Sequence, residues 1–496
     1  MPSVPLAEAE LPLVLTIDIG SSSARVLLYD HQGRQVAGLG ATERYQLRAS
    51  HDGASEDDPE EALARLSRCL DATMAQLGPA AERIAAVAVA TIASTLLGLD
   101  QDGAPLTPVF TYADTRNTTD AASLRERLDE AEVHERTGCM LRSAYWPARL
   151  AWLRRSRPAL VARVARWATL GDYLEQRLFG RGRASLSVAS WTGLLSRREL
   201  IWDGPLLAAL GVALEQLPPL ADVDEPLQGL LPAFATRWPA LRAVPWLPAI
   251  GDGAAANLGS GCTGPGQVAL TVGTTGALRV VTPGVARVPA GLWVYRVDRG
   301  AALLGGATSE GGNLAGWLSR TLRLGEPAVV EREVLAVPPD GHGLTVLPFI
   351  AGERSPGWAG NARATIHGIT LGTTPAEIVR ASLEAVAYRF ALIAAGLEAS
   401  GVALEGLVAS GGALLASPVW PQIIADAIGR PLTLSAETEA TSRGVALLAL
   451  RALGLIPGLD ALPAALGARF DPDPAVHAVY QGAIARQREL YTLLVA

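Results

Sequence analysis

Two segments about 250 residues apart carry one chemistry-bearing pattern. Leu15-Thr16-Ile17-Asp18-Ile19-Gly20-Ser21-Ser22-Ser23-Ala24-Arg25-Val26 reads as an apolar strand, a hydroxyl-rich turn and a second apolar strand. Leu270-Thr271-Val272-Gly273-Thr274-Thr275-Gly276-Ala277-Leu278-Arg279-Val280 repeats it. A turn of Gly, Ser and Thr presents backbone N–H groups and hydroxyls with no bulky side chain in the way, so it suits phosphate oxygens. One such turn is an ordinary hairpin tip; the repetition makes phosphate contact the better reading. The copies also differ: Asp18 in the first is replaced by Thr271 in the second. A carboxylate there suits Mg²⁺, held directly or through water against phosphates. The first turn is therefore expected on the metal side and the second on a metal-free side.

Between the two copies lies Gly251-Asp252-Gly253-Ala254-Ala255-Ala256-Asn257. An acid flanked by glycines allows close approach of a substrate, and Asp252 is placed to take a proton from a hydroxyl attacking a phosphoryl group. An Asp-Gly turn joining two elements is the plain alternative; the position between the repeated turns favours the base. Ser410-Gly411-Gly412-Ala413 follows a strand and precedes a helix, where glycines let a flat ligand lie against the backbone, with a plain turn as an equal alternative. In Tyr112-Ala113-Asp114-Thr115-Arg116, Asp114 and Arg116 offer an acceptor and a donor fork suited to sugar hydroxyls or a carboxylate, with a surface ion pair as the alternative. The six histidines share no metal or triad spacing and receive no role.

These segments must be held by elements that the sequence outlines. A loose tail over 1–10 is followed by the first strand–turn–strand and a hairpin turn at Asp30-His31-Gln32-Gly33. A helix starts after Asp58, with Pro59 first and Glu61 closing a capping box, and runs to about Leu77. Val87-Ala88-Val89-Ala90 reads as a buried strand, and 118–137 and 145–166 as helical. A long helix capped at Thr374-Pro375-Ala376-Glu377 ends at Gly401. Leu407-Val408-Ala409 forms a strand, with further helices near 418–428 and 441–453. Strands alternating with helices in both halves give an α/β class with helices on both faces of mixed sheets. At 496 residues the chain needs two domains, placed at 11–256 and 257–496 with the junction at the Asp252 segment.

Composition closes off other classes. With 49% hydrophobic and 18% charged residues, wholesale disorder is excluded. The net charge of −7, without long basic runs, argues against a nucleic-acid partner. All 42 basic residues are arginine, so a P-loop lysine and Schiff-base chemistry are both ruled out. Charge stabilisation then falls to a cation, backbone N–H groups, helix N-termini and an arginine. Cys69, Cys139 and Cys262 are too few and too scattered for a disulfide framework or a metal pattern. Glu8 and Glu10 stand where a leader would be basic, and the uncharged run Ile84 to Leu99 is too short and too rich in Thr and Ser to span a bilayer. A soluble cytoplasmic protein with no membrane partner is expected.

Taken together the motifs resemble the FGGY carbohydrate kinases of the actin-like ATPase superfamily, from about Leu13 to about Leu453. Asp18-Ile19-Gly20-Ser21-Ser22-Ser23 and Gly273-Thr274-Thr275-Gly276 are similar to the family's two phosphate loops. Gly251-Asp252-Gly253 is similar to the segment carrying its catalytic aspartate. Gly311-Gly312-Asn313 through Trp317 and Gly411-Gly412 resemble nucleotide-side segments. Gly352-Glu353-Arg354-Ser355-Pro356-Gly357-Trp358 with Asn361-Ala362-Arg363 looks like a family signature. Within the family, that signature, Gly251 to Gly261, Ala189 to Leu194 and Tyr112 to Arg116 look most like gluconate kinases; Ala93-Ser94-Thr95 and Trp191 depart from that pattern.

The resemblance implies two ribonuclease-H-like domains with a deep cleft, ATP and Mg²⁺ as cosubstrate and cofactor, and phosphorylation of a small polyhydroxy substrate, D-gluconate first. It implies Asp252 as base and Asp18 as the metal side chain. Gly20, Ser21, Ser22, Ser23, Gly273, Thr274, Thr275, Gly312, Gly316, Gly411, Gly412 and Ala416 would bind nucleotide. Ser94, Thr95, Asp114, Arg116, Tyr145 and Asp252 would bind substrate. A ketopentose or another polyol is the second substrate class, and a nucleotide-binding sensor or chaperone-like ATPase the reading from another class. A homodimer is common among such families.

Overall fold

The computed structural model describes residues 3–495. The first sheet holds β1 (Leu13–Ile19), β2 (Ser23–Tyr29), β3 (Gln35–Arg44), β4 (Ile84–Thr91) and β5 (Ile250–Gly251). The second holds β6 (Gln267–Val272), β7 (Gly276–Thr282), β8 (Trp293–Arg296), β9 (Ala302–Thr308), β10 (Gly406–Ser410), β11 (Leu432–Ser435) and β12 (Leu466–Phe470). Among the helices, α1 is Pro59–Leu77, α2 Trp146–Ser156, α3 Leu186–Trp191, α4 Asp252–Gly259, α5 Gly312–Thr321, α6 Pro327–Ala336, α7 Pro375–Ala399 and α8 Ala440–Ala452.

The sequence repeat is a repeat of topology. The first sheet runs β5-β4-β1-β2-β3 and the second β8-β9-β7-β6-β10-β11-β12. In each, the strand entering the hydroxyl-rich turn pairs antiparallel with the strand leaving it (Ile19↔Ala24, Val272↔Gly276). On its other side it pairs parallel with a later strand, β4 or β10. β1 is buried at every position, as expected of a strand covered on both faces.

Two compact units result. The first comprises 1–263, 294–303 and 437–464, and the second 264–293, 304–436 and 465–496. The units therefore do not follow a single cut at 256/257. α4 stays whole in the first unit, and the chain returns to that unit to place α8 there. α4 and α8 pack backbone to backbone. A Cβ on Gly259 would strike the carbonyl of Ala440, and one on Gly444 the carbonyl of Ala255. Arg443 locks the seam by donating Nη1–H to the Gly259 carbonyl at 2.8 Å and Nη2–H to that of Leu462 at 2.8 Å. Gly444→Ala is expected to destabilise the first unit by about 3 kcal/mol, since neither backbone can yield; a denaturant melt with unchanged slope checks this.

Several expectations need correction. Val4 is buried and bridges to Val36, receiving and donating backbone bonds with Gln35 and Ala37, so the segment after Pro2 pairs with an edge strand instead of trailing. Met1 and Pro2 lie outside the described residues. Asp58 caps α1 by accepting from the amides of Glu60 and Glu61, but the Glu61 carboxylate goes to Arg68, so no capping box closes. The helical stretch over 145–166 breaks after Ser156, Pro158 opens a separate short helix to Val161, and Arg166–Ala168 is a strand. Asp252 opens α4 and is not in a turn. Thr374 and Glu377 do form the predicted capping box.

Candidate functional site

In the first unit, the serine turn sits at the tip of the β1–β2 hairpin. Ser21 and Ser22 are exposed, while Ser23 is buried at the start of β2. The turn is held from below: Gly20 N–H donates to the Ser23 carbonyl at 3.0 Å, and the Tyr45 hydroxyl donates to the Gly20 carbonyl. Asp18, one strand residue before Ile19, is 5% exposed, and burial pushes its carboxyl up to about 7. Arg25 opposes that rise, whereas the nearby Asp252 and Glu439 carboxylates add to it. Asp18, Asp252 and Glu439 are thus electrostatic neighbours. Arg25 bridges two of them, donating to Glu439 at 2.9 Å and to Asp18 at 3.5 Å. Asp252, partly exposed, is the first residue of α4, where a negative side chain is favoured by the helix dipole. Its Oδ1 accepts from the Gly253 amide at 2.8 Å. Carboxylate oxygens are the hard donors that Mg²⁺ prefers, so the residues around Asp18 fit that ion.

Arg25 is the cation of this cluster, and sequence reasoning did not single it out. The signal was available: it lies on β2 two residues past Ser23, directly opposite Asp18 in the register. Glu439, immediately before α8, is likewise legible only once α8 is known to return.

The substrate-side expectations divide. Ser94 takes a positive φ of 58°, and its hydroxyl donates to the Ala144 carbonyl at 2.5 Å. Wholly buried Arg149, whose guanidinium burial pushes down to about 10, donates to the carbonyls of Ser94 at 2.7 Å and Ala144 at 2.8 Å. Arg149 therefore sets the Ser94 loop. Thr95 is buried, with its Oγ1 accepting from the Leu170 amide at 2.9 Å. Asp114 and Arg116 are turned on one another: Arg116 donates to both Asp114 oxygens (3.1 and 2.5 Å) and to Glu56 at 2.5 Å. The Tyr145 hydroxyl lies 2.6 Å from that of Tyr295.

In the second unit, Thr274 and Thr275 are exposed at the β6–β7 tip, as the two serines are in the first. Here α5 supports the turn. Gly312 N–H donates to the Gly273 carbonyl at 2.7 Å and Asn313 N–H to that of Thr274 at 3.2 Å. A side chain at Gly411, held at φ 114°, would strike the Val272 carbonyl. Only glycine therefore lets the segment after β10 lie against the turn. Gly316 follows on α5. Pro327, Ala328 and Leu335 of α6, with Leu415, Ala416 and Pro418, line a mainly apolar cavity of about 400 Å³. Glu331 pins the two segments together, accepting from the Ser417 hydroxyl at 3.0 Å and the Val419 amide at 2.7 Å. A flat heteroaromatic ring suits such a groove.

Glu310, just before Gly311, is buried, and burial pushes its carboxyl up to about 8. Its unfolded form ionises near the ordinary value of 4.5, so the folded state loses stability as pH rises from 4.5 to 8. Glu310→Gln is accordingly expected to raise Tm by a few degrees at pH 8, with the gain vanishing toward pH 4.5; paired melts across that range check it.

Asp340, His342 and Glu384 bring ligand-type atoms within 4.8 Å of one another. His342 Nδ1 accepts from the Leu344 amide, so its Nε2 carries the proton toward Glu384. Glu384 also receives Arg380, Tyr388 and Tyr480. The cluster is a saturated hydrogen-bond network.

Comparison with known proteins agrees with this fold. Residues 13–259 match the N-terminal domain of the FGGY family of carbohydrate kinases, and residues 268–453 the C-terminal domain. A gluconokinase of Bacillus subtilis (strain 168) is 26% identical over 476 residues, covering 93% of this chain and 91% of its own. A glycerol kinase of Citrifermentans bemidjiense is 32% identical over 480 residues, covering 92% and 94%. The crystal structure of a gluconate kinase from Lactobacillus acidophilus superposes with a TM-score of 0.91 at 24% identity, covering 98% of this chain and 99% of that one. With both domain models matched in order along the same duplicated fold, the chain belongs to the FGGY family of carbohydrate kinases.

Proposed function

We propose that the chain transfers the γ-phosphoryl group of ATP to a terminal hydroxyl of a small polyhydroxy substrate, D-gluconate first, giving 6-phosphogluconate. The observation that carries the reading is Asp252, a partly exposed carboxylate fixed at the start of α4 in the electrostatic neighbourhood of Asp18 and the serine turn. Asp252 takes the proton of the attacking hydroxyl. The oxygen forms a bond to γ-phosphorus as the bond to the β–γ bridging oxygen breaks, and ADP leaves with that electron pair. General-base help of this kind is worth about 10²–10⁴-fold. In the first unit the serine turn offers donors to phosphate oxygens, with Arg25 as the side-chain cation in place of a lysine, and in the second unit the threonine turn and Gly312 offer such donors. The groove beside Ala416, with Gly411 and Gly412, takes the adenine. Asp18 holds Mg²⁺ directly or through water, and that ion neutralises phosphate charge when bound.

Gluconate ranks first because Gly251 to Gly261, Ala189 to Leu194 and the Gly352-to-Arg363 signature look most like gluconate kinases, and a gluconokinase and a gluconate kinase structure are among the similar proteins. A ketopentose such as xylulose or ribulose, or another polyol, is the second reading, favoured by 32% identity to a glycerol kinase. A coupled ADP-release assay with gluconate, xylulose, ribulose and glycerol separates these. Stimulation by gluconate above the rate with ATP alone is expected. Stimulation by another member moves the substrate, and an ATPase rate that no member raises would point to a nucleotide sensor instead.

A further inference from the structure

Trp191, the last residue of α3, is half-buried among aromatic rings that are otherwise buried. One face of its indole stacks on Tyr295, with centroids 3.8 Å apart and planes at 21°. Tyr295 meets Tyr145 hydroxyl to hydroxyl. Tyr145 immediately precedes α2, whose Arg149 holds the Ser94 loop. The aromatic run thus leads from that loop through Tyr145 and Tyr295 to the indole. Its pyrrole edge lies flat on the backbone before the proposed base: a Cβ on Gly251 would come within 2.9 Å of Nε1 and 3.2 Å of Cδ1. Gly251 precedes Asp252 directly, and all of these residues belong to the first unit.

A polyhydroxy chain has two kinds of surface. Its hydroxyl edges need hydrogen-bond partners, whereas its C–H faces are apolar and pack on an aromatic face. The stack on Tyr295 fixes the tilt of the indole, so its solvent-reached remainder is a rigid apolar wall beside Asp252. The close seat on Gly251 leaves no room between ring and backbone, so an acceptor passes the exposed part of the ring to reach Asp252, which suits the slender end of an open chain more than a branched or cyclic carbon. We infer that Trp191 is a specificity-determining residue: the C–H surface next to the accepting CH₂OH group packs on its indole, selecting open-chain acceptors. This rests on the kinase reading given above.

Steady-state ADP release by the full chain tests it, with glycerol, xylulose, ribulose and gluconate as open-chain acceptors and glucose and mannose as cyclic ones. The wild type is expected to prefer one open-chain acceptor and to leave both cyclic sugars essentially untouched. Trp191→Ala should raise KM for the preferred acceptor by about tenfold or more, leave KM for ATP within about twofold, and change the ratio of kcat/KM between acceptors by about tenfold. Trp191→Phe should restore part of the ratio, because a ring still stacks on Tyr295, and it carries the test if the alanine variant fails to fold. Equal losses for every acceptor in Trp191→Phe, or unchanged ratios in both variants, would overturn the inference. A wild type that no acceptor stimulates defeats the kinase reading itself, and the wild-type panel reveals this before any variant is made.

Discussion

Asp252→Asn is expected to lower kcat by about 10²–10⁴-fold while leaving KM for ATP and Tm nearly unchanged. The replacement is close to isosteric. Its side-chain oxygen still accepts the Gly253 amide, as Asp252 Oδ1 does at 2.8 Å, so the first turn of α4 keeps its geometry. The seam between α4 and α8 depends on Gly259 and Gly444 and is untouched. What disappears is the capacity to accept a proton from the attacking hydroxyl. Loss of kcat with both structure and nucleotide affinity intact therefore reports the base alone. A variant that kept most of its rate would move the base elsewhere.

The second large effect falls on Asp18. Asp18→Asn is expected to weaken the apparent affinity for Mg²⁺ by about 10–100-fold, read as the Mg²⁺ concentration giving half-maximal rate at fixed ATP. Arg25 keeps its stronger partner, Glu439 at 2.9 Å, so the cation of the cluster stays in place and the variant isolates the carboxylate. Thr271→Val is the matched control. Thr271 occupies the equivalent strand position in the second unit, where its Oγ1 lies 3.5 Å from that of Ser410. It should leave the Mg²⁺ requirement unaltered. An equal shift in both variants would mean that the turns divide no labour over the metal.

The duplicated hairpins were legible because each turn needs small polar residues between two apolar strands, a pattern that survives without any tertiary contact. Asp252 was legible as a carboxylate flanked by glycines, but its place at the head of a helix was not, since Gly253 at the second position disguises the start of α4. The long helix from Pro375 was readable from its capping box. The aromatic run was hidden, because Trp191, Tyr295 and Tyr145 lie scattered along the chain and only packing joins them. Asp114 and Arg116 show how little spacing decides by itself. Their spacing suggests a donor and an acceptor awaiting a ligand, yet two residues apart they satisfy each other. Glu439 and Arg25 meet across more than 400 residues, and local pattern carries no trace of that.

The return of residues 437–464 to the first unit has a consequence for biosynthesis. A nascent chain that has emerged as far as residue 263 holds β1, β2 and the whole of α4, but the glycine face of α4 has nothing to lie against until α8 is made about 200 residues later. At about 5–20 residues per second, that interval is about 10–40 s. Most of the second unit's strands and helices are translated within it, and β12 and the helix Pro474–Leu494 follow. Both units therefore stay incomplete until late in synthesis: the first closes with 437–464 and the second with 465–496. The segment that proposes the base is synthesised early, yet it is clamped only near the close of translation.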